Sequence, residues 1–400
     1  MKKLLVLTSI YPGPDIPNSF TPVVHYFAKE WVASGVEVKV IHSIAYYPRV
    51  FYWISFFFSK LLSSIIGTNI PTKRLVRDHL YKYENVQVCR YPIFKLFPQY
   101  KFTEKNLIKQ KLKIIRELKR DNFDPDYIVG HWWNPQLELM HMLKKELPET
   151  NSALIMHKDG VALEKSYKSK TTELFNSIDV FGYRSLPIKS RFESLFGPQK
   201  KSFLCYSGIP EEFTKHKISK NFSNKLNSFL YVGVMIKRKF PSEILDSLSE
   251  VYIDKSYKIE YIGEGYELKK IKNKITKNGL SESVALNGKV SRKIVWQKML
   301  KSDCFVMISK NEAFGLVYLE AMAAGCITIA SRNEGFDGVI KDGVNGFLCE
   351  AGNIKELSEI INKINALSIE EKKEISINAM NTARSLTNRK AAKKYLSSLK

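Results

Sequence analysis

No two of the five cysteines, Cys89, Cys205, Cys304, Cys326 and Cys349, stand in a CxxC spacing, and five is an odd number. That argues against a disulfide framework or a zinc site and suits a reducing cytosol, where single thiols in apolar runs are buried and inert. GxxxxGK[ST], HExxH and GxSxG are missing too, which removes the P-loop NTPase, zinc-protease and α/β-hydrolase readings. The apolar run at the amino terminus, 3–9, stops at Tyr11-Pro12 and reads as a first strand rather than a signal peptide. Acidic residues are scarce: 40 against 63 Lys and Arg, a net charge of +23. Such a surface favours phosphates, acidic lipids or nucleic acid, and charge alone does not choose among them.

At 400 residues the chain exceeds one ordinary core and fits two domains of about 200 residues each. A strand at 3–9, a helix capped by Thr21 with Pro22 at its first position, and a strand at 36–43 make a βαβ unit. The loop 10–20 then lies at the carboxyl edge of a sheet, where open α/β folds bind ligands. The alternation pauses near 200–210 and resumes with FLYVGV at 229–234. The expected division is 1–205, 206–380 and a carboxy-terminal helix, 381–400, that packs back on the first domain.

Segment 46–70, with YYPRVFYWISFFFSKLLSSIIG, is too short and too interrupted for a membrane span. Its aromatic and basic content suits a bilayer interface, and the alternative is a hydrophobic hairpin buried in the first domain or in a dimer contact. The helix expected at 101–120 is basic, with Leu107, Leu112, Ile115 and Leu118 as its buried side. Its lysines form a solvated face or meet anionic lipid. Asp124-Pro125-Asp126 precedes a strand and reads as a turn rather than a metal-binding DxD. His131 and His157 each follow a strand, which puts both imidazoles at carboxyl ends of neighbouring strands.

The most informative stretch is 309–330, SKNEAFGLVYLEAMAAGCITIA. Helix formers run from Leu316 to Ala324, Gly325 stops the helix, and an apolar strand follows. Glu312 precedes the helix, whereas Glu320 sits about one and a half turns inside it. Gly315 between them lets a ligand approach free amides at a helix N-terminus, an anion site with hydroxyl acceptors on either side. A nucleotide-sugar has the matching layout. The plainer reading is an amphipathic helix with a glutamate at its positive end, burying Leu316, Leu319, Met322 and Ala323.

Other strand ends in the second half carry glycine or charge. Val232-Gly233 leads into Lys237-Arg238-Lys239, a cationic loop suited to a diphosphate. Gly263-Glu264-Gly265 and Gly288-Lys289-Val290 bring backbone within reach of a base or ribose.

From Phe229 to Glu350 the chain resembles the carboxy-terminal domain of a family 4 retaining glycosyltransferase of the GT-B type. The resemblance rests on EAFGLVYLEAMAAG, YVGVMIKRKF, YIGEG, LNGKVS and EGFDGVIKDGVNGFL. The first half matches more loosely, through FTPVVHYFAKEW, GHWW, MHKDG and SGIPEEF. The resemblance implies two Rossmann-like α/β domains facing a central cleft, the second holding a nucleotide-sugar, and transfer with retention, without a cofactor or a bound metal. By matching motif, Glu312 contacts donor-sugar hydroxyls, the amides of Phe314, Gly315 and Leu316 its sugar and phosphates, and Glu320 the ribose. Lys239 pairs with the diphosphate, and His157 matches the histidine near the reacting sugar. Gly233, Gly263, Val290, Lys237 and Arg238 complete the donor side; His131, Ser19 and Phe20 are assigned to the acceptor side. One departure is Val234, where the family often has Arg, so Lys237 or Arg238 has to supply the second cation.

The expectation is therefore a cytoplasmic retaining glycosyltransferase, peripheral on the inner membrane face, moving sugar from a UDP-sugar, with GDP next, to a lipid-linked or polysaccharide acceptor. A GT-B epimerase or phosphorylase is the other enzyme reading. A basic membrane or nucleic-acid binder is the non-enzyme reading; nucleic acid is not expected as a partner, because no reader motif accompanies the charge.

Overall fold

The computed structural model describes residues 2–16, 21–54, 73–98, 100–215 and 219–400. Ser19 and Phe20, and the part of segment 46–70 beyond residue 54, lie outside the described residues. Two compact units emerge. Unit 1 comprises Met1–Tyr183, Arg191–Cys205 and Ala392–Lys400; unit 2 comprises Arg184–Ser190 and Tyr206–Ala391.

Unit 1 is built on strands β1 Lys3–Thr8, β2 Glu37–His42, β3 Ala45–Tyr46, β4 His79–Tyr83, β5 Val86–Arg90, β6 Ile93–Phe94, β7 Tyr127–His131, β8 Asn151–Met156, β9 Val180–Tyr183 and β10 Ser202–Leu204. Eight form one sheet in the order β10-β9-β8-β7-β1-β2-β5-β4, and β3 pairs with β6 separately. All pairings in the large sheet are parallel except β4 with β5. Leu4 to Thr8 are all buried, as parallel strands covered on both faces require. Strand order reverses between β1 and β7, so the loop after β1 and His131 at the end of β7 flank the crevice where such sheets take ligands.

The first helix, Val23–Ala33, has Pro22 as its N-cap and no side-chain cap, so Thr21 does not have the role its sequence position suggests. Asp124-Pro125-Asp126, expected as a turn, is irregular backbone with a bend at Asp126, whose carboxylate accepts the Lys3 amide of β1 at 2.6 Å. The basic helix Glu104–Arg120, capped by Thr103, buries Leu107, Gln110, Ile114, Glu117 and Leu118; Leu112 is exposed and Ile115 only half-buried. Two polar residues take the inner stripe because residues in and just after β2 and β5 supply their partners. The Gln110 amide donates to Ser43 Oγ at 2.9 Å and to the Tyr91 carbonyl at 3.1 Å. Glu117 accepts the Tyr91 hydroxyl at 2.6 Å and lies 3.9 Å from the buried Lys39 ammonium.

Unit 2 carries β11 Ser228–Val232, β12 Lys258–Ile262, β13 Val284–Leu286, β14 Cys304–Val306, β15 Ile327–Ser331 and β16 Phe347–Cys349. They form one parallel sheet in the order β13-β12-β11-β14-β15-β16. Here the order reverses between β11 and β14. All five cysteines are free and buried. Among the described residues no helix is long and apolar enough to cross a membrane.

Candidate active site

Because β11 and β14 are neighbours at the reversal, the loops that leave their carboxyl ends meet. The first loop carries a short 3-10 turn, Lys237–Lys239, before helix Pro241–Val251; the second carries Ser309 to Gly315 before helix Leu316–Ala323. They are stitched by backbone and side chain: the Lys310 amide donates to the Arg238 carbonyl at 2.7 Å, and Arg238 Nη1 donates to the Lys310 carbonyl at 3.1 Å. Across this seam Glu312 Oε2 lies 3.3 Å from Lys239 Nζ and 3.8 Å from Arg238 Nη1. Lys239 and Glu312 are both partly buried, so their attraction is screened less than that of a surface pair.

Glu312 is held from behind as well. Its amide donates to Glu334 Oε2 at 3.0 Å, and Ser309 Oγ stands 3.5 Å from its carboxylate while sharing a 3.0 Å hydrogen bond with the buried Tyr318 hydroxyl. Gly315 caps the helix in the left-handed region, at φ 87°. A Cβ there would lie 2.5 Å from the Tyr318 ring, so both backbone angle and space demand glycine. No side chain caps this helix, and its Tyr318 amide turns back to donate to the Gly315 carbonyl at 3.1 Å. Gly263 is similarly constrained: at φ 137°, its Cβ would collide with the Gly233 carbonyl. Its amide donates to Gly288 at 2.7 Å, which gathers the ends of β11, β12 and β13.

Glu320, almost wholly buried, forms an ion pair with Arg292 at the start of helix Arg292–Lys301. Burial pushes its pKa up and the guanidinium opposes that rise. Arg292 lies over the Phe213 ring at 5.1 Å, and Phe213 stacks on Trp296 with centroids 4.3 Å apart.

The structure thus brings Glu312, Lys239 and Arg238 together and pairs Glu320 with Arg292. Lys237 joins neither pair; its side chain is exposed and its amide donates to the Tyr266 hydroxyl at 3.0 Å. Val234 is exposed. The Phe314 ring is buried against Tyr206, Phe336 and Arg184. Leu316 and Val290 are half-buried. Sequence reasoning assigned no role to Glu334 or Arg292. The first lies in EGFDG, at the carboxyl end of β15, and that position was its only available signal.

In unit 1, His131 and His157 bond each other, Nδ1 to Nε2 at 3.1 Å. Trp132, at φ 63°, stacks on His157 with centroids 3.9 Å apart. Among the described residues no group of three His, Cys, Asp or Glu side chains is placed to hold a metal ion.

Residues 212–382 match the family model described as glycosyl transferases group 1. An uncharacterized glycosyltransferase of Methanocaldococcus jannaschii is 30% identical over 242 residues, 59% of this chain; the match spans 64% of that relative's length. The N-acetyl-alpha-D-glucosaminyl L-malate synthase of Bacillus anthracis is 24% identical over 288 residues, 70% of this chain and 72% of that protein. Among solved structures, Anabaena HepE in complex with UDP superposes with a TM-score of 0.68 at 16% identity, covering 100% of this chain and 99% of that one. A likeness at that identity speaks for the fold. By its architecture the chain has the GT-B fold, and its residues 212–382 are similar to the glycosyl transferases of group 1.

Proposed function

We propose that the chain is a glycosyltransferase that moves a sugar from a nucleotide-sugar, a UDP-sugar in the first place, with retention of anomeric configuration. The observation that carries this reading is the cluster of Glu312, Lys239 and Arg238 where the loops after β11 and β14 meet, beside an uncapped helix N-terminus. Breaking the anomeric bond leaves negative charge on the departing diphosphate, and cations with fixed N–H groups aimed there lower the barrier. Lys239 and Arg238 take that role here, with Arg238 standing in for the arginine that Val234 replaces. Glu312 turns its carboxylate to donor-sugar hydroxyls, Glu320 to the ribose, and His157 serves the reacting sugar.

In the transfer itself the bond from the anomeric carbon to the phosphate oxygen breaks while the acceptor oxygen bonds to that carbon from the same face. The acceptor proton passes to the leaving phosphate oxygen. No glycosidase-like carboxylate pair is needed for this route. A relative that is an N-acetylglucosaminyl malate synthase and a structural neighbour holding UDP support the nucleotide-sugar assignment. The acceptor is proposed to be lipid-linked or a polysaccharide at the inner membrane face, on the basic excess and the aromatic sequence at 46–70.

Full-length protein incubated with a panel of UDP- and GDP-sugars and lipid-linked acceptors, with products followed by NMR, tests the reading. It predicts a new glycoside of unchanged anomeric configuration together with free nucleoside diphosphate. An isomerised nucleotide-sugar formed without acceptor, or turnover that requires inorganic phosphate, would replace it with an epimerase or a phosphorylase.

A further inference from the structure

Among the described residues the Glu320 side chain has one hydrogen-bond partner. It lies on helix Leu316–Ala323, keeps 11% of its side chain exposed, and accepts at Oε1 from Arg292 Nη2. Its second oxygen, Oε2, bonds none of the described residues and yet is not sealed from solvent. Such an oxygen can take a ligand hydroxyl, and it accepts most strongly while the carboxylate is charged. Burial works against that charge and pushes the pKa up. Helix Arg292–Lys301, helix Ile369–Ser385, β15 and the 3-10 turn Glu211–Thr214 pack against the helix that carries Glu320. Of the charged side chains on those elements, Arg292 is the one that faces the carboxylate and offsets the cost of burying it.

Arg292 is held for this contact. It stands at the start of its helix, directly after the N-cap Ser291, where the helix dipole disfavours a cation. The guanidinium therefore gains nothing from its own helix and depends on what it touches. It lies over the Phe213 ring at 5.1 Å, and Phe213 stacks on Trp296 with centroids 4.3 Å and planes 6° apart. Arg292 and Trp296 are four residues apart and share a helix face, so one ring braces both.

We propose that Arg292 is a positioning residue that holds Glu320 as a charged hydroxyl acceptor, and so gives the site its preference for an intact ribose over a deoxygenated one. The ribose preference rests on the nucleotide-sugar reading, in which Glu320 meets the ribose; the coupling of Arg292 to Glu320 does not.

The test compares full-length wild type, Arg292→Gln, Arg292→Lys, Glu320→Gln and the double variant. Arg292 is 40% exposed, so its replacement removes a charge without opening the core. UDP and 2′,3′-dideoxyuridine diphosphate are titrated into each by calorimetry at pH 6, 7 and 8, with the guanosine pair if that is the base bound. The ratio of the two affinities is read, so the titration of the shared diphosphate cancels. The wild type is expected to prefer the intact ribose by about tenfold or more at pH 7. Arg292→Gln is expected to lose most of that preference at pH 6 and to regain part of it as pH rises, because without the guanidinium the carboxyl keeps its proton to higher pH. Arg292→Lys, which keeps a charge, is expected to retain more of the preference at pH 6 than Arg292→Gln. In the Glu320→Gln background, Arg292→Gln is expected to change the ratio by less than about twofold. An unchanged ratio in Arg292→Gln, equal losses in the lysine and glutamine variants, or a further loss in the double variant overturns the proposal. Carbon-13 NMR of glutamate carboxyls follows the Glu320 proton without nucleotide, with the signal assigned by its loss in Glu320→Gln. Its titration is expected at higher pH in Arg292→Gln than in the wild type, and no difference overturns the proposal. If the titration moves but the wild type binds neither UDP nor GDP, the coupling stands and the nucleotide-sugar reading falls.

Discussion

The two sheets place very different chemistry at the points where their strand order reverses. In unit 2 the loops after β11 and β14 carry full charges, Lys239 and Arg238 facing Glu312, and nearby Glu320 is tied to Arg292. In unit 1 the corresponding edge carries imidazoles caged by aromatic rings, His131 and His157 between Tyr395 and Trp132. One edge is built of full charges, the other of hydrogen-bonded imidazoles held between aromatic rings.

The largest effect is expected on the charged edge. Glu312→Ala should lower kcat/KM by about 10²-fold or more, the size of loss seen when one electrostatic partner is removed from an active site. Steady-state kinetics on the active nucleotide-sugar, with circular dichroism to check folding, would break the comparison if the variant turned over like the wild type. The backbone beneath that edge gives a second test. Gly315→Ala should destabilise the protein by about 1–2 kcal/mol, because alanine resists φ 87° and its methyl meets the Tyr318 ring. An unchanged thermal midpoint would show that the loop relaxes at no cost.

The imidazole edge makes a prediction of its own. His42 is buried at the end of β2, its ring 3.3 Å from the Ser9 carbonyl, and burial holds its pKa down to about 3. The unfolded chain, titrating near pH 6.5, takes up the proton first. The His42 contribution is therefore complete above pH 6.5 and is lost as pH falls towards 3, by about 1.4 kcal/mol per pH unit. Asp15, held below its usual range by Arg90, adds a loss of the same sign at still lower pH. Four of the five tryptophans precede residue 134, so fluorescence-monitored unfolding at pH 7, 6 and 5 follows unit 1. His42→Gln should flatten that slope, and an equally steep slope in the variant would remove His42 from the account.

The alternation of strands and helices was legible because parallel strands buried on both faces read as unbroken apolar runs, as in KLLVLT and CITIA. Helix Pro241–Val251 begins at a proline, a residue suited to the first helical position. Features that depend on distant partners were not legible. Gln110 and Glu117 occupy a buried stripe that periodicity assigned to Leu112 and Ile115, because Ser43, Tyr91 and Lys39 wait for them on other elements. Lysines are mostly exposed, yet the buried Lys220 ammonium donates to the Met299, Leu300 and Ser302 carbonyls and caps a helix end. Part of the +23 is therefore internal structure. At the candidate site, Glu312 was singled out by its place before a helix and Lys239 by its match to the family motif. Arg292 beside Glu320 and Tyr395 beside His131 were not, since 28 and 264 residues of sequence separate these pairs.

The central claim is that the loops after β11 and β14 hold the diphosphate of a nucleotide-sugar. Calorimetric titration of UDP into the full-length wild type and into Lys239→Ala tests it most directly. The account predicts saturable binding of one UDP that weakens by about tenfold or more in the variant, as loss of a charged partner worth about 1.5–3 kcal/mol requires. Equal affinity in both proteins, or no binding of UDP or GDP by the wild type, would contradict it.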